Sequence, residues 1–125
     1  MQRAKRIESA GNPFYKELVR AAKKGGLTEG GLALAEGPHL VEEAARSGVL
    51  AGIVVAGSVA ARYADAFPNL PSWQLSDALF RALPLSENSQ GVLALAQSRA
   101  WWWVELGSAP AALRVVFGAV EAPGS

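Results

Sequence analysis

Residues 32–45 read LALAEGPHLVEEAA, an apolar run that passes through a glycine and a proline into an amphipathic segment. The run from Leu32 to Ala35 predicts a short strand. Pro38 suits the first position of a helix, because no intrahelical acceptor exists there for a backbone N–H. Gly48 then closes that helix. Strand, tight turn and helix in this order form the repeating unit of an α/β domain.

The same order recurs on both sides of this unit. Asn12-Pro13 predicts the N-cap and first residue of an earlier helix, which Gly25-Gly26 ends. Leu50 to Ala56 lacks the alternation of a half-solvated strand, so we expect it to be fully buried. The other predicted elements are a helix at Ser58 to Phe67, a strand at Trp73 to Leu75, a helix opened by Ser76-Asp77, and a strand at Val92 to Ala96. This alternation predicts an α/β fold, a three-layer sandwich with a mostly parallel central sheet and helices on both faces.

Composition bounds the class of protein and the chemistry available to it. With 125 residues, half of them apolar and 18% charged, the chain can bury a sound core. It has no cysteine and one histidine, which excludes disulfides, Cys/His zinc sites and Cys-His catalysis. The longest uncharged run, Val49 to Ala61, is shorter than the roughly 20 residues that span a bilayer, and the N-terminus lacks a secretory signal pattern. We therefore expect a cytoplasmic protein with no membrane partner.

Basic residues are concentrated at the N-terminal end. Seven of the twelve lie within the first 24 residues, against two of the eleven acidic residues. On charge alone, this asymmetry fits either a solvated surface or a phosphate-binding patch. In the first predicted helix, we expect an apolar stripe at Phe14, Leu18 and Ala22, with Val19 beside them. The basic side chains of that helix fall mostly off this stripe.

No group of side chains in the sequence has the pattern of a catalytic site. The turn Glu36-Gly37-Pro38-His39 stands where a doubly wound fold binds an anion, but it has one glycine, and its proline lacks a donor. His39 is the one histidine in the sequence, yet no partner is identifiable that would orient its imidazole. A surface or capping histidine is the favoured interpretation. Glu42-Glu43 is interpreted as a solvated face. We therefore predict no catalytic, cofactor-binding or metal-ligating residue in this chain.

Several short motifs, each weak alone, occur together in a specific order. They are Ile7-Glu8-Ser9, Asn12-Pro13, Lys16, Ala35 to Ala44, Ile53-Val54-Val55, Leu75-Ser76 and Ser89 to Ala94. Their order and spacing resemble the N-terminal substrate-binding domain of the SpoU/TrmH (SPOUT) RNA 2′-O-ribose methyltransferases. The resemblance implies a fold similar to the kink-turn-binding ribosomal proteins. It also implies a domain that holds structured RNA, rRNA or tRNA, while a separate domain carries out the methylation.

The resemblance divides the chain into three parts. Residues 1–97 correspond to the RNA substrate-binding domain, and 98–112 to a linker. Residues 113–125 resemble the first strand and turn of the catalytic SPOUT domain, with Ala122 and Ser125 where the family has an Asp-Pro-Gly-Asn turn. The rest of that domain would be missing, so we expect this chain alone to be non-catalytic. No cofactor residue is carried over, and S-adenosylmethionine is implied for the full-length parent only.

Candidate RNA-binding residues follow from the charge pattern and the resemblance together. We expect phosphate contacts from the basic residues of the first helix, and recognition of a loop or bulge by polar groups at the sheet edge. These residues are Lys16, Arg20, Lys23 and Lys24 in the helix, and Asn12, Glu36, His39 and Gln90 at the edge.

Two other classes of function remain open at this point. One is a stand-alone protein that binds kinked RNA, and the other is a small-ligand or protein-docking α/β domain, which the nearly neutral overall charge favours. The cluster Trp101-Trp102-Trp103 predicts an inter-domain contact or self-association. The alternative is that the linker folds back and the rings complete the core.

Overall fold

The computed structural model describes residues 5–24, 27–28, 30–86 and 89–98. The strands are β1 (Lys5–Ile7), β2 (Leu32–Glu36), β3 (Leu50–Ala56), β4 (Ser72–Leu75) and β5 (Val92–Gln97). The helices are α1 (Pro13–Lys23), α2 (Pro38–Arg46), α3 (Ala60–Tyr63) and α4 (Asp77–Arg81), and a 3₁₀ turn at Gly57–Val59 precedes α3.

The described strands form one sheet in the order β1-β4-β3-β5-β2. β4 pairs in parallel with both β1 and β3. β5 lies between β3 and β2 and is antiparallel to both. Four strands therefore run in one direction and β5 runs in the other, which confirms the mostly parallel sheet that the sequence predicts.

Helices cover both faces of this sheet, as the sequence predicts. Along β3, Ile53 and Val55 pack in the apolar cluster that contains α2 and part of α3, whereas Val54 and Ala56 pack in the cluster that contains α1 and α4. Successive side chains of a strand point to opposite faces, so a strand covered on both sides shows no polar alternation. The buried central strand and the three-layer sandwich are thereby confirmed.

The buried face of α1 shares only Leu18 with the predicted stripe of Phe14, Leu18 and Ala22. The buried residues are Tyr15, Leu18 and Ala21, while Phe14 and Ala22 are only half-buried. Tyr15 enters the core because its hydroxyl donates a 2.7 Å hydrogen bond to a backbone carbonyl of α4, which satisfies the polar end of an otherwise apolar ring. Burial raises the pKa of that hydroxyl.

Half-buried Phe14 still packs against the core. Its ring stacks on the indole of Trp73 in β4, with centroids 4.3 Å apart and planes inclined by 17°. Beneath the indole lies Gly52 of β3, where a Cβ would stand 3.0 Å from the ring atom Cζ3. The absence of a side chain at that position allows the close approach of the indole to the sheet.

One predicted element differs from the structure, and one observed strand is absent from the prediction. The helix expected at Ser58 to Phe67 is a 3₁₀ turn followed by the single turn of α3, because residues 64–66 are exposed and Pro68 disfavours helical backbone before it. β1 was not expected from the sequence. It has three residues, two of them charged and exposed, so it shows no hydrophobic period. The other strand ends agree with the predictions to within one residue.

No described helix has the length and apolar character needed to cross a bilayer. The predicted linker beyond Ser98, the tryptophan cluster and the segment 113–125 lie outside the described residues, as does the glycine pair expected to end α1.

Candidate nucleic-acid interface

The four predicted edge residues lie at the same edge of the sheet, the one at which the parallel strands β1 to β4 end. β1 to β4 each lead into a helix or turn, so the helix N-termini lie where these strands end, and reversed β5 begins at the same edge. Glu36 ends β2, His39 is the second residue of α2, and Gln90 lies two residues before β5. Asn12 lies at the same edge but follows β1, the outermost strand on the side of the sheet opposite β2. The structure therefore groups three of the four residues around the neighbouring strands β2 and β5.

Asn12 is engaged in capping α1. Its Oδ1 accepts hydrogen bonds from the backbone N–H of Phe14 at 2.8 Å and of Tyr15 at 3.1 Å. Pro13 follows at the first helical position, as the sequence predicts. The carbonyl oxygen of this side chain is thus committed to the helix, and the amide group is what remains for another partner.

The corner before β5 has an uncommon backbone conformation. Gln90 has a φ of +48° and is the one described non-glycine residue with a positive value, and Gly91 follows at +81°. The carbonyl of Gly91 accepts a 2.8 Å hydrogen bond from the backbone N–H of Ala56. A Cβ on Gly91 would lie 3.0 Å from a methyl group of Val59, so the corner is tightly packed against the end of β3. The exposed Gln90 is presented by this constrained backbone.

Glu36 connects the end of β2 to the segment between α4 and β5. Its Oε1 accepts hydrogen bonds from both the backbone N–H and the hydroxyl of Ser86, each at 2.7 Å. The two residues are 50 positions apart in the chain.

A second carboxylate makes a similar connection on the other side of β3. Asp77 Oδ1 accepts a 2.9 Å hydrogen bond from the backbone N–H of Ser58. This bond, followed by one from the Ser58 hydroxyl and a smaller effect of Arg81, holds the pKa of Asp77 below its ordinary value against the opposing effect of desolvation. The 3₁₀ turn and the start of α4 are thereby joined.

An open cleft of about 450 Å³ lies between these connections. Its apolar lining comes from Ala56, Val59, Phe80, Leu83 and Leu85, and its other lining residues are Ser58, Asp77, Arg81, Ser86, Ser89, Gln90 and Gly91. Hydroxyl and amide groups at such a rim can donate and accept hydrogen bonds, so the cleft suits a ligand with an apolar face and polar edges. The described part of the chain holds no group of three or more potential metal ligands.

The predicted basic residues form one stripe on α1. Lys16, Arg20 and Lys23 follow at intervals of four and three, which places them on one helix face, and Lys24 is the C-cap. The three lysines are exposed. Arg20 is half-buried and makes a two-pronged ion pair with Glu17, at 2.7 Å from Nε and 2.5 Å from Nη2. The charge of Arg20 is therefore partly compensated, whereas the lysines present theirs to solvent.

Sequence reasoning missed Ser58, Asp77 and Ser86 as parts of this edge. The polar loop after α4 was a visible signal, but nothing in the sequence pairs Ser86 with a glutamate 50 residues earlier. The positive φ of Gln90 also had no local signal, because glutamine rarely adopts it.

No protein-family model and no curated protein sequence matches this chain. Among solved structures similar to it, a crystal structure of an RNA 2′-O ribose methyltransferase has 27% sequence identity and a TM-score of 0.52, covering 74% of this chain and 37% of that one. An rRNA methyltransferase from Sinorhizobium meliloti has 16% identity and a TM-score of 0.54, covering 77% and 38%. These findings confirm the predicted resemblance to RNA 2′-O-ribose methyltransferases. The chain spans less than two-fifths of the length of the two proteins.

Proposed function

We propose that this domain binds structured RNA, rRNA or tRNA, as the substrate-recognition part of an RNA 2′-O-ribose methyltransferase of the SpoU/TrmH type. The observation that carries the proposal is the similarity of about three quarters of this chain to little more than a third of such an enzyme. Methyl transfer from S-adenosylmethionine then belongs to a separate catalytic domain. We expect such a protein in the cytoplasm.

The basic stripe of α1 would supply phosphate contacts. Lys16, Lys23 and Lys24 are exposed and lie on or beside one face, so they can follow an RNA backbone without rearrangement. Arg20 can join them only by exchanging the carboxylate of Glu17 for a phosphate. We therefore expect the lysines to contribute more to RNA affinity than Arg20 does.

The edge beside the cleft would recognise unpaired nucleotides. Proteins read RNA sequence mainly in loops and bulges, where the bases are accessible to side chains. Gln90 offers an amide on a constrained corner and His39 an exposed imidazole, and they lie at the ends of neighbouring strands. Asn12 can contribute only its amide group while its carbonyl caps α1.

A second candidate is a small-ligand or protein-docking domain, which the 450 Å³ cleft favours. The two candidates differ in their dependence on salt. Binding to the phosphate backbone weakens steeply as salt rises, whereas binding in an apolar cleft does not. A stand-alone protein that binds kinked RNA would show the same salt dependence without a catalytic partner.

Titration of fluorescently labelled tRNA and rRNA fragments with the chain, at several salt concentrations, tests the proposal. Replacing Lys16 and Lys23 together by alanine should reduce the slope of log K against log salt by about 0.7 to 0.9 for each phosphate that the variant no longer neutralises. The matched control replaces Arg46 and Arg62, which are exposed on helices of the other face, and should leave the slope unchanged. Equal slopes in both double variants, or salt-independent binding, would contradict the proposal.

A further inference from the structure

We propose that Glu36 is a positioning residue, whose carboxylate holds the corner formed by Ser89, Gln90 and Gly91 in the conformation that presents Gln90 to RNA. The inference rests on the proposed function. It assigns Glu36 a different role from the direct RNA contact that the sequence predicts.

A series of hydrogen bonds joins Glu36 to this corner. Its Oε1 accepts from the backbone N–H and the hydroxyl of Ser86. The carbonyl of Ser86 in turn accepts from the backbone N–H of Ser89 at 3.3 Å, and Gln90 comes next in the chain. The carboxylate therefore holds the residue whose carbonyl accepts from Ser89, the neighbour of Gln90.

The far side of the corner is held by the sheet. Gly91 is bonded to Ala56 of β3 at 2.8 Å, and the next carbonyl, that of Val92, accepts from the N–H of Gly37 at 3.0 Å. These bonds join backbone groups. Among the hydrogen bonds described around the corner, those to Glu36 have a side-chain acceptor, which a substitution removes. The backbone acceptors of the others remain.

The corner needs such support because of its backbone. A glutamine at a φ of +48° is in a conformation that non-glycine residues adopt at a cost, and neighbouring contacts must maintain it. Releasing Ser86 would let the corner exchange among other conformations, so only a fraction of molecules would be ready to bind. Apparent affinity falls in proportion to that fraction.

Charge also argues against direct contact between Glu36 and the RNA backbone. A carboxylate that faces phosphates is repelled by them, whereas this one is half-buried and accepts two hydrogen bonds from the protein. It lies beside the cleft that Ser86 and Gln90 line, without being among the lining residues itself.

The test combines amide NMR spectra of the free chain with RNA titrations. Glu36→Ala should shift the amide signals of Ser86, Gln90 and Gly91 and weaken RNA binding about five- to tenfold. Glu36→Gln keeps an acceptor oxygen. Its amide signals should return toward the wild-type positions, and its RNA affinity should be within about twofold of wild type. Glu42→Ala removes the same charge from an exposed position of α2 and should change neither.

A double-mutant cycle locates the effect. If Glu36 acts through Ser86, the variant with both Glu36→Ala and Ser86→Ala should bind RNA no more weakly than Glu36→Ala alone. Weaker binding by Glu36→Ala with unshifted Gln90 and Gly91 signals, or fully additive losses, would overturn the inference. Unchanged spectra in both Glu36 variants would overturn it too, even if wild type bound no RNA. If the variants show the expected spectral shifts but the wild-type chain binds no RNA, the proposed function is refuted instead. If Glu36→Ala does not fold, Glu36→Gln and Ser86→Ala carry the comparison.

Discussion

Replacing Asn12 by alanine removes the side-chain acceptor at the start of α1. The backbone N–H groups of Phe14 and Tyr15 are then deprived of the oxygen that lies 2.8 Å and 3.1 Å away. Neither group has an acceptor within the helix, because the first turn of a helix has none. Loss of an N-cap side chain costs about 0.5 to 2 kcal/mol, and two part-buried donors place this case in the upper half, at about 1 to 2 kcal/mol.

Urea unfolding followed by circular dichroism measures this cost. For a domain of this size the free energy of unfolding falls by about 1 to 1.5 kcal/mol per molar urea, so the midpoint of Asn12→Ala should be lower by about 1 M. Asn12→Ser and Asn12→Asp keep an oxygen at the cap and should stay within about 0.5 kcal/mol of wild type. RNA titration of the same variants distinguishes two roles of Asn12, the capping role of its oxygen and an RNA contact by its amide group.

The reasoning is refuted if Asn12→Ala unfolds at the wild-type midpoint, or if Asn12→Ser loses as much stability as Asn12→Ala. Either result would mean that the hydrogen bonds of Oδ1 do not stabilise the first turn. A loss of RNA affinity in Asn12→Ser with unchanged stability would show instead that the amide contacts RNA.

Three further substitutions test other parts of the fold. Tyr15→Phe should cost about 0.5 to 1.5 kcal/mol in the same assay, since it removes a 2.7 Å bond to a backbone carbonyl; no loss would contradict the role of the hydroxyl. Gly52→Ala should cost about 1 to 3 kcal/mol, because its Cβ would lie 3.0 Å from both the Pro71 carbonyl oxygen and the Trp73 ring, and it should alter the aromatic circular dichroism; a neutral result would mean that both neighbours move aside freely. Asp77→Ala should lower the melting temperature at neutral pH. The folded pKa of Asp77 lies below 3.8, so the stabilisation by the Ser58 bond is present above 3.8 and is lost as pH falls through the lowered pKa. The difference in melting temperature should shrink in acid, and a constant difference from neutral pH to about pH 2 would contradict this cause.

Local signals predicted the parts of the fold that depend on local chemistry. Asn12 and Ser76 cap helices because their side chains reach backbone N–H groups two or three residues later, which sequence spacing reveals. The apolar run of β3, which lacks polar alternation, likewise predicted burial on both faces. The prediction that the basic residues of α1 lie off its apolar stripe agrees with the exposure of Lys16 and Lys23.

Local sequence patterns do not reveal contacts between residues that are distant in the chain. Tyr15 is buried because a carbonyl of α4, 64 residues away, receives its hydroxyl, and sequence alone gives no reason to place a tyrosine in the core there. The bond between Glu36 and Ser86 likewise depends on the sheet order, which brings β2 next to β5. β1 owes its existence to pairing with β4 rather than to its own three residues.

The reversed direction of β5 separates the Gln90 corner from the point where the chain leaves the sheet. β5 begins next to the Gln90 corner and rises about 3.4 Å per residue, so Gln97 stands about 17 Å from Val92 at the opposite edge. There Gln97 bonds to Val49, and Ser98 bonds to Gly31. Whatever follows Ser98 in the chain is therefore attached at the end of the sheet away from the Gln90 corner. A fluorophore placed at the exposed Gln97 therefore stands about 17 Å from the start of β5.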